Sequence, residues 1–318
     1  MGAGMQLSDR IGRRMKLHDL HVLVTVVQAG SMSKAATLLN TGQSAISRSI
    51  AELEHAVGVR LLERNPRGVE PTEHGRALLD GGAAAFDELR QAVKNIEFLN
   101  DPTAGNVRIG CNQHLATSFV SAVIDRLSLR YPRIVFQVAA TLAEGLHHEL
   151  IERNVDLLVT RRLGTPADER LHFELLFDDS NVVLAGAQNP WARRRNVALA
   201  DLMNEPWALP PPESVIGSIA MEAFRASGLD YPHTTVVTYF PHLRLSLLAT
   251  GRFLTIHPAS LLRFPIKRPD LAVVPVKLPL AREPISIVTL KNRTLSPTAR
   301  LFVEHAREVA KPLARKKS

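Results

Sequence analysis

The sequence contains few of the residues that stabilise small secreted domains or build metal sites. Among its 318 residues there are one cysteine, two tryptophans and three tyrosines. A single cysteine excludes an internal disulfide framework and a zinc site built from cysteines. No apolar run approaches the ~20 residues that cross a bilayer, and the basic segment 1–16 lacks the apolar core of a secretory signal. We therefore expect a cytoplasmic protein that has no contact with a membrane.

Acidic side chains are in the minority, and the basic excess is unevenly distributed. The chain has 39 Lys and Arg against 31 Asp and Glu, which gives a net charge of +8. Residues 105–318 carry 27 basic against 19 acidic side chains, whereas the first 75 residues carry nine against seven. A basic protein of this kind is expected to meet an anionic partner. The distribution favours a small anionic ligand of the C-terminal part, or a basic tail that contacts nucleic acid.

Short helices separated by tight turns are predicted for the first sixty residues. Apolar residues three or four positions apart mark a first helix, which ends at Gly30. Ser31 is an expected N-cap for a second helix over 32–39, and the turn at 40–42 leads to a third helix from Gln43. Two short helices joined by such a turn form a helix-turn-helix. The apolar positions are Leu17, Leu20, Val24 and Val27 in the first helix and Ile46, Ile50, Leu53 and Val57 in the third.

The third helix has a small, polar face opposite its apolar one. Ser44, Ser47 and Arg48 lie on this face, which suits entry into the major groove of DNA. An ordinary three-helix bundle with a solvated face fits the same periodicity. The segment 58–72 then predicts two short strands around a basic turn. Arg64 and Arg67 in this turn are candidates for phosphate contacts, or for plain surface charge.

The segment 17–79 resembles the DNA-binding domain of LysR-type transcriptional regulators. It matches the family's spacing at Gly30-Ser31, Ala35-Ala36, Leu39, Gln43-Ser44-Ala45-Ile46-Ser47, Leu53-Glu54, Gly58, Leu61-Leu62, Arg64, Thr72 and Gly75. Leu62 stands where the family more often has phenylalanine. The resemblance implies sequence-specific binding to an operator in double-stranded DNA through a helix-turn-helix at 32–51 and a β-wing. The expected DNA contacts are Ser31, Ser33, Lys34, Gln43, Ser44, Ser47 and Arg48, with Arg64 and Arg67 in the wing.

One long helix is predicted for residues 72–100, with Thr72 as its N-cap. Apolar residues recur every seven positions in two rows, which is the pattern of a coiled coil. A helix packed on its own domain is the alternative, whereas the family resemblance implies a linker helix through which two chains dimerise. Gly81-Gly82 is expected to allow close approach of two helices or to form a kink. The expected dimerisation residues are Leu79, Phe86, Leu89, Val93 and Ile96.

Short β-branched runs alternate with helical stretches after residue 105, which predicts an α/β architecture. The predicted strands are 107–111, 134–139, 155–160, 182–186, 236–239, 253–257, 272–276 and 285–290. The order of these segments resembles the effector-binding domain of the same family, which is similar to periplasmic solute-binding proteins. The resemblance implies two α/β subdomains joined by two crossings.

The expected fold class is therefore an all-α, winged-helix N-terminal domain, a long linker helix and a two-subdomain α/β effector-binding domain. The expected segments are an extension at 1–16, the winged helix-turn-helix at 17–74, the linker helix at 72–100, a linker at 101–105, the effector-binding domain at 105–312 and a basic tail at 313–318. Subdomain I is expected at about 105–165 and 276–312, and subdomain II at about 166–275.

A small-molecule effector is expected between the two subdomains, because ligands of open α/β sheets bind at the carboxyl ends of strands, often on helix N-termini. Thr141 best matches an effector-contact position of the family. The alternatives are solvent-facing roles for His114 and Arg161 and a core role for Tyr239. The candidate residues are Asn112, Gln113, His114, Thr141, Thr160, Arg161, Ser214, Thr238 and Tyr239.

Motifs of catalysis are incomplete in this sequence. His148-Glu149 begins a zinc-protease motif, but Glu152 stands where the second histidine is required. Cys111 has no histidine at an informative spacing, so oxidation sensing is a weaker hypothesis for it than packing. We expect a transcription regulator that is not an enzyme and has neither a cofactor nor a metal. Beside DNA and an effector, its expected partners are further copies in a dimer or tetramer, with RNA polymerase as a candidate.

Two rival hypotheses remain open. The first is a ligand-binding protein or an enzyme whose N-terminal bundle mediates protein contacts. The second is a constitutive DNA-binding regulator that has no effector.

Overall fold

The computed structural model describes residues 14–65, 68–140, 143–161, 168–264, 268–280 and 282–314. The chain forms two compact units, Met1–Ala92 and Val93–Ser318. Helices and a short hairpin form the first unit, whereas mixed β-sheets flanked by helices form the second. The predicted combination of a winged-helix domain and a two-part α/β domain is confirmed.

In its described part, the first unit contains three short helices, a two-stranded wing and most of the long helix that follows them. The elements are α1 (Leu17–Ala29), α2 (Met32–Leu38), α3 (Gln43–Val57), β1 (Leu62–Asn65) and β2 (Gly68–Pro71). The apolar faces of the helices meet in one core, in which Leu23, Ile46 and Leu53 are at most 1 % exposed. Glu54 of α3 joins this core to the wing, because its Oε1 accepts a hydrogen bond from the Leu61 N–H at 2.8 Å.

A single long helix, α4 (Glu73–Asn100), follows the wing. Thr72 caps it as predicted, because the Gly75 N–H donates to Thr72 Oγ1 at 3.0 Å. Glu73 adds a negative charge to the first turn, where the helix dipole favours it.

The C-terminal turns of α4 are tied to the second unit by a buried carboxylate. Lys94 Nζ lies 3.7 Å from Asp156 Oδ2, and the guanidinium groups of Arg108 and Arg293 lie 2.8 Å and 2.9 Å from Asp156 Oδ1. Burial opposes ionisation of Asp156, but the hydrogen bonds from Arg108 outweigh it and hold the pKa of Asp156 below its ordinary value. The boundary between the units therefore falls inside α4, just before the turn that Lys94 anchors.

The two glycines of α4 have different surroundings. A Cβ built on Gly82 would lie 2.9 Å from Leu20 Cδ1 of α1, whereas a Cβ on Gly81 would meet nothing within 4 Å. The helix continues unbroken through both residues. The close approach that we expected between two dimerising helices is thus an approach between α4 and α1 of the same chain.

The heptad rows of α4 divide into a covered part and an exposed part. Leu79 and Phe86 pack against the core of the first unit, as the alternative of a helix packed on its own domain predicts. Leu89, Val93 and Ile96 are 47 %, 53 % and 59 % exposed. These three side chains are the part of the predicted seam that stays exposed, and their role in dimerisation stays a prediction.

Two five-stranded sheets are found in the described part of the second unit. The first contains β3 (Ala104–Cys111), β4 (Arg133–Ala140), β5 (Leu157–Arg161), β6 (Leu171–Asp179) and β12 (Glu283–Leu290). The second contains β7 (Asn181–Gly186), β8 (Trp207–Leu209), β9 (Thr234–Val237), β10 (Leu254–Pro258) and β11 (Leu271–Val273). The helices are α5 (Gln113–Leu115), which a π-helical turn (Ala116–Val120) joins to α6 (Ser121–Arg130), then α7 (Ala143–Ile151), α8 (Val215–Ala226), α9 (Pro241–Leu248) and α10 (Pro297–Ala314).

The chain passes between the sheets twice. The strand orders are β4-β3-β5-β12-β6 and β11-β7-β10-β8-β9. The first passage is the short step from Asp179 of β6 to Asn181 of β7, and the return lies between β11 and β12. The expected start of subdomain II near residue 166 is wrong, because β6 pairs with β12 in the first sheet.

The sequence pattern does not predict β6 or β8. β6 is an edge strand with one exposed face, so His172, Glu174 and Asp178 interrupt its apolar residues. β8 has only three residues, and prolines at 206 and 210 enclose it.

Helices cover both faces of the first sheet. Phe119 and Leu127 from the helices after β3 pack with Phe302 of α10 in one buried cluster. Leu146 and Leu150 of α7 pack in another with Leu158 of β5 and with Val288 and Leu290 of β12. None of the helices in the described ranges is both long and apolar enough to cross a membrane.

Separate replacement of the two glycines tests the packing of α4. Gly81→Ala should raise the free energy of unfolding by about 0.5–1 kcal/mol, because alanine loses less backbone entropy in a helix. Gly82→Ala should lower it, since the new methyl group overlaps the buried Leu20. Urea unfolding of the two single variants measures both changes. Equal stabilisation by both would contradict the tight contact with Leu20.

Candidate functional site

An exposed polar surface runs across the helix-turn-helix. Ser33 and Lys34 at the start of α2, and Gln43, Ser44 and Arg48 in the first turns of α3, are all exposed. These side chains are short or flexible donors and acceptors on two adjacent helix starts. Such a surface can meet both base edges and phosphates.

Two of the predicted contact residues are less accessible. Ser47 is half-buried, and its hydroxyl lies 3.5 Å from Met32 Sδ of α2. Ser31 occupies the N-cap position of α2 without capping it through its side chain; its hydroxyl lies 3.0 Å from the Ser33 hydroxyl. Ser47 therefore contacts α2, whereas the contact of the Ser31 hydroxyl is local to the start of α2.

The wing is present as an antiparallel pair in which Leu62 opposes Pro71 and Asn65 opposes Gly68. The Arg64 side chain and the whole of Arg67 lie outside the described residues. Their predicted phosphate contacts stay predictions.

A cavity of about 60 Å³ lies between the two sheets of the second unit. The predicted cleft residues that line it are Asn112, Gln113, His114, Arg161 and Tyr239. They come from the carboxyl ends of β3, β5 and β9, which is the edge where ligands of α/β sheets bind. An apolar wall faces them and includes Val215, Ile216, Ile219 and Ile256.

Other predicted cleft residues support this lining rather than form it. Thr160 is buried, and its hydroxyl donates to Asn112 Oδ1 at 2.7 Å. Ser214 caps α8, because its Oγ accepts from the Gly217 N–H at 3.0 Å. Thr238 is buried, and its Oγ1 accepts from the Phe240 N–H at 3.1 Å. Thr141 lies outside the described residues.

Two polar residues that were not predicted from the sequence also line the cavity. They are Arg244 in α9 and His257 in β10. Arg244 precedes Leu245 and shares a helix face with Leu248, both of which are buried. An arginine on the apolar face of a short helix, without an acidic residue one turn away, is the signal that would have identified it.

Arg244 is a buried cation that has no carboxylate partner within the described ranges. The residue is 3 % exposed, and its side chain extends from α9 to β10. Its Nη1 makes only long hydrogen bonds, to Thr255 Oγ1 at 3.3 Å and to the Ile256 carbonyl at 3.5 Å, and its buried Nε has no partner. Burial lowers the pKa of Arg244 to about 10, so that the group stays charged at neutral pH.

The positive charge of the second arginine in the cavity is balanced by a carboxylate. Arg161 forms an ion pair with Glu283, the first residue of β12. Burial lowers the pKa of Arg161, while the charges of Glu283 and Asp179 act in the opposite direction. Burial also raises the pKa of Glu283 above its ordinary value.

Two imidazoles complete the polar side of the cavity. The rings of His114 and His257 meet edge to face, with centroids 6.4 Å apart. Burial and then the charge of Arg161 lower the pKa of His114 well below its ordinary value. Burial and then the charge of Arg244 lower the pKa of His257 to about 3. Both rings are therefore neutral at pH 7, and His114 Nε2 is buried without a hydrogen-bond partner.

The amino-terminal ends of two helices also reach the cavity. Val215 and Ile216 begin α8, Pro241 begins α9, and all three residues line it. Unpaired N–H groups and the helix dipole make such ends favourable for negative charge. Together with Arg244, they give the cavity a positive electrostatic character.

Cys111 does not have the surroundings of a redox sensor. The residue is fully buried in the core of the first sheet, and burial raises the pKa of its thiol to about 12. A thiol that stays protonated reacts slowly with oxidants. Packing, the favoured hypothesis for Cys111, agrees with this position.

Models of known families match most of the chain. The model described as "Bacterial regulatory helix-turn-helix protein, lysR family" matches residues 17–76, and the model described as "LysR substrate binding domain" matches residues 100–311. The chain belongs to the LysR family of bacterial transcriptional regulators. Its first unit contains the DNA-binding domain of this family, and its second unit contains the effector-binding domain.

Relatives of known name support this assignment along about nine-tenths of the chain. This LysR-family chain is 29 % identical to the transcriptional dual regulator GltC of Bacillus subtilis, over 91 % of this chain and 96 % of GltC. It is 26 % identical to the HTH-type transcriptional regulator GbpR of Azospirillum brasilense, over 90 % of this chain and 84 % of GbpR.

Solved structures of LysR regulators share the fold. A cysteine-to-aspartate variant of full-length OxyR from Pseudomonas aeruginosa matches with a TM-score of 0.65 at 19 % identity, over 96 % of this chain and 99 % of that chain. Full-length CbnR complexed with its target DNA matches with a TM-score of 0.53 at 22 % identity, over 93 % and 100 % of the two chains.

Proposed function

We propose that this LysR-type regulator responds to a small anionic effector, which binds in the cavity between the two sheets of its second unit. The observation that carries the proposal is Arg244, a cavity-lining cation with no carboxylate partner in the described part of the chain. A buried charge without a partner costs several kcal/mol. An anionic ligand would supply the missing partner, and the helix ends at Val215 and Pro241 would favour the same charge.

The proposed ligand contacts combine both sides of the cavity. Arg244 would hold the anionic group, and the neutral His114 and His257 would donate or accept hydrogen bonds. Asn112 and Gln113 would orient the ligand from the end of β3. The effector would act through unequal affinity for two arrangements of the sheets, since a ligand that binds both arrangements equally shifts nothing.

The proposed DNA contacts are the exposed residues of the helix-turn-helix. Ser33, Lys34, Gln43, Ser44 and Arg48 would meet base edges and phosphates in the major groove. Ser47 would act by positioning α3 against α2. Ser31 would contact DNA from the start of α2, and Arg64 and Arg67 would contact phosphates from the wing.

Dimerisation is proposed through the exposed row of α4. Leu89, Val93 and Ile96 follow one face of the helix at coiled-coil spacing, and a second copy would remove their apolar surface from water. Two DNA-binding domains would then be available for two half-sites.

The remaining parts of the proposal follow from DNA binding. Because operators are cytoplasmic in bacteria, the protein would act in the cytoplasm. It would act as a regulator without catalysis or cofactor, with RNA polymerase as a candidate partner at the promoter.

Replacing Arg48 tests the DNA-binding surface. The operator is first selected from a pool of random duplexes by the wild-type protein. Arg48→Ala should weaken binding to the selected duplex by about 1–3 kcal/mol, or roughly 5- to 150-fold, because one charged contact to a base or phosphate is lost. Ser47→Ala should have a smaller effect, since its hydroxyl is engaged with Met32. Mobility shifts at several salt concentrations measure both.

Arg225→Ala is the matched control for Arg48→Ala. Arg225 is an exposed arginine of α8 in the second unit, where it pairs with Glu222. Its replacement should leave the affinity for the selected duplex and its salt dependence unchanged. Wild-type affinity in both Arg48→Ala and Lys34→Ala would show that another surface reads the operator.

A thermal-shift screen of the full chain tests the effector class. Small carboxylic acids and phosphorylated metabolites should include ligands that raise the melting temperature, and the amides or alcohols of the same compounds should not. Arg244→Met should abolish these shifts, whereas Arg225→Met should keep them. Hits confined to neutral or cationic compounds would contradict the proposal. Complete absence of hits would support the rival hypothesis of a regulator without an effector.

A further inference from the structure

We propose that the cavity selects ligands that carry a single negative charge, and that Glu283 sets this limit by neutralising Arg161. The inference rests on the proposed function, since it deepens the description of the anion-binding cavity. It assigns to Glu283 a role in specificity, although Glu283 does not itself line the cavity.

The two arginines of the cavity differ in what surrounds them. Arg244 has only the Thr255 hydroxyl and a backbone carbonyl as hydrogen-bond acceptors within the described residues. Arg161 has Glu283 as an ion-pair partner and the charge of Asp179 nearby. One positive charge is therefore available to a ligand, and the other is already compensated.

A second carboxylate on the ligand would meet like charge at Arg161. Glu283 and Asp179 are opposite each other in the pairing of β12 with β6. Asp179 is 1 % exposed, and its Oδ1 accepts hydrogen bonds from the N–H groups of Ser180 at 2.9 Å and Ser260 at 3.1 Å. These bonds fix the orientation of the Asp179 carboxylate, which does not itself line the cavity. Like charges brought together in a low-dielectric site repel each other strongly.

The two carboxylates near Arg161 lie where the chain passes between the two sheets. Asp179 is the last residue of β6, immediately before the chain passes to the second sheet, and Glu283 is the first residue of β12, after the chain has returned. Arg161 at the end of β5 therefore pairs with a residue at one of the two passages. A ligand that took Arg161 from Glu283 would remove the cation that pairs with this partly buried carboxylate.

The remainder of the ligand must be short and apolar. The apolar residues that line the cavity include Val215, Ile216, Ile219 and Ile256. The cavity of about 60 Å³ is far smaller than the roughly 300–1,000 Å³ of sites for drug-sized ligands. A monocarboxylate with a short hydrocarbon body has the charge, size and surface that this cavity fits.

Matched acids of equal chain length test the proposal on the full chain. The probes are the monocarboxylates from propionate to hexanoate, the dicarboxylates from malonate to adipate, and the amides of the monocarboxylates. Affinities are measured by isothermal titration with the wild type, Glu283→Gln, Glu283→Asp and Glu174→Gln. Glu174→Gln is the control, because it removes a Glu–Arg pair of the first sheet, with Arg307, away from the cavity.

The wild type should bind the best monocarboxylate at least about tenfold more tightly than the dicarboxylate of the same length, since like-charge repulsion is worth more than about 1.4 kcal/mol. Glu283→Gln should reduce this preference by at least about tenfold, whereas Glu283→Asp and Glu174→Gln should keep it. The preference of the wild type is decisive by itself if Glu283→Gln does not fold.

Three results would overturn the proposal. Dicarboxylates that bind the wild type as tightly as monocarboxylates would refute the charge limit while leaving an anionic effector in place. An unchanged preference in a folded Glu283→Gln would refute the role of Glu283. If amides bind and no acid does, the anionic effector itself is wrong, and the charge limit fails with it.

Discussion

In the proposed function, ligand binding by the second unit depends on one buried and poorly paired positive charge. Arg244 lies between α9 and β10 with two long hydrogen bonds and no carboxylate partner among the described residues. Thr255 Oγ1 also donates to the Ala208 carbonyl at 2.6 Å, so its own bonding does not depend on the arginine. A charge that weakens the ligand-free fold is expected where a protein binds something. The neutrality of His114 and His257 leaves this charge as the dominant feature of the cavity.

The long helix α4 links this cavity-bearing unit to the DNA-binding domain. Leu79 and Phe86 fix its first half to the winged helix, and Lys94 fixes its last turns to Asp156 of the second unit. Of the exposed apolar residues, Leu89 and Val93 lie between Phe86 and Lys94 along the helix, and Ile96 lies after Lys94. The same helix therefore has a packed apolar part at one end and an exposed apolar part further along, which explains why its heptad pattern fitted both hypotheses.

Elements whose stability is local were predictable from the sequence. The three helices, the Thr72 cap and the wing follow from periodicity, capping and turn residues within a few positions of each other. β6 and β8 were missed because an edge strand and a three-residue strand carry weak patterns. The role of Arg244 was not predicted, because it depends on the lack of a carboxylate near its side chain among the described residues. That lack is a property of the folded chain and has no local sequence pattern. Gly82 was placed at the wrong contact for the same reason, since its neighbour Leu20 is remote in sequence.

The stability of ligand-free Arg244→Met tests most directly whether the arginine serves a ligand or the fold. Methionine keeps the length and the apolar contacts of the side chain but removes its charge. Unfolding in urea should show the variant to be as stable as the wild type, or more stable by up to about 4 kcal/mol, because a poorly paired buried charge is removed. If the free energy of unfolding falls by several kcal/mol, Arg244 stabilises the second sheet. That result would contradict its assignment as the residue that binds an anionic ligand.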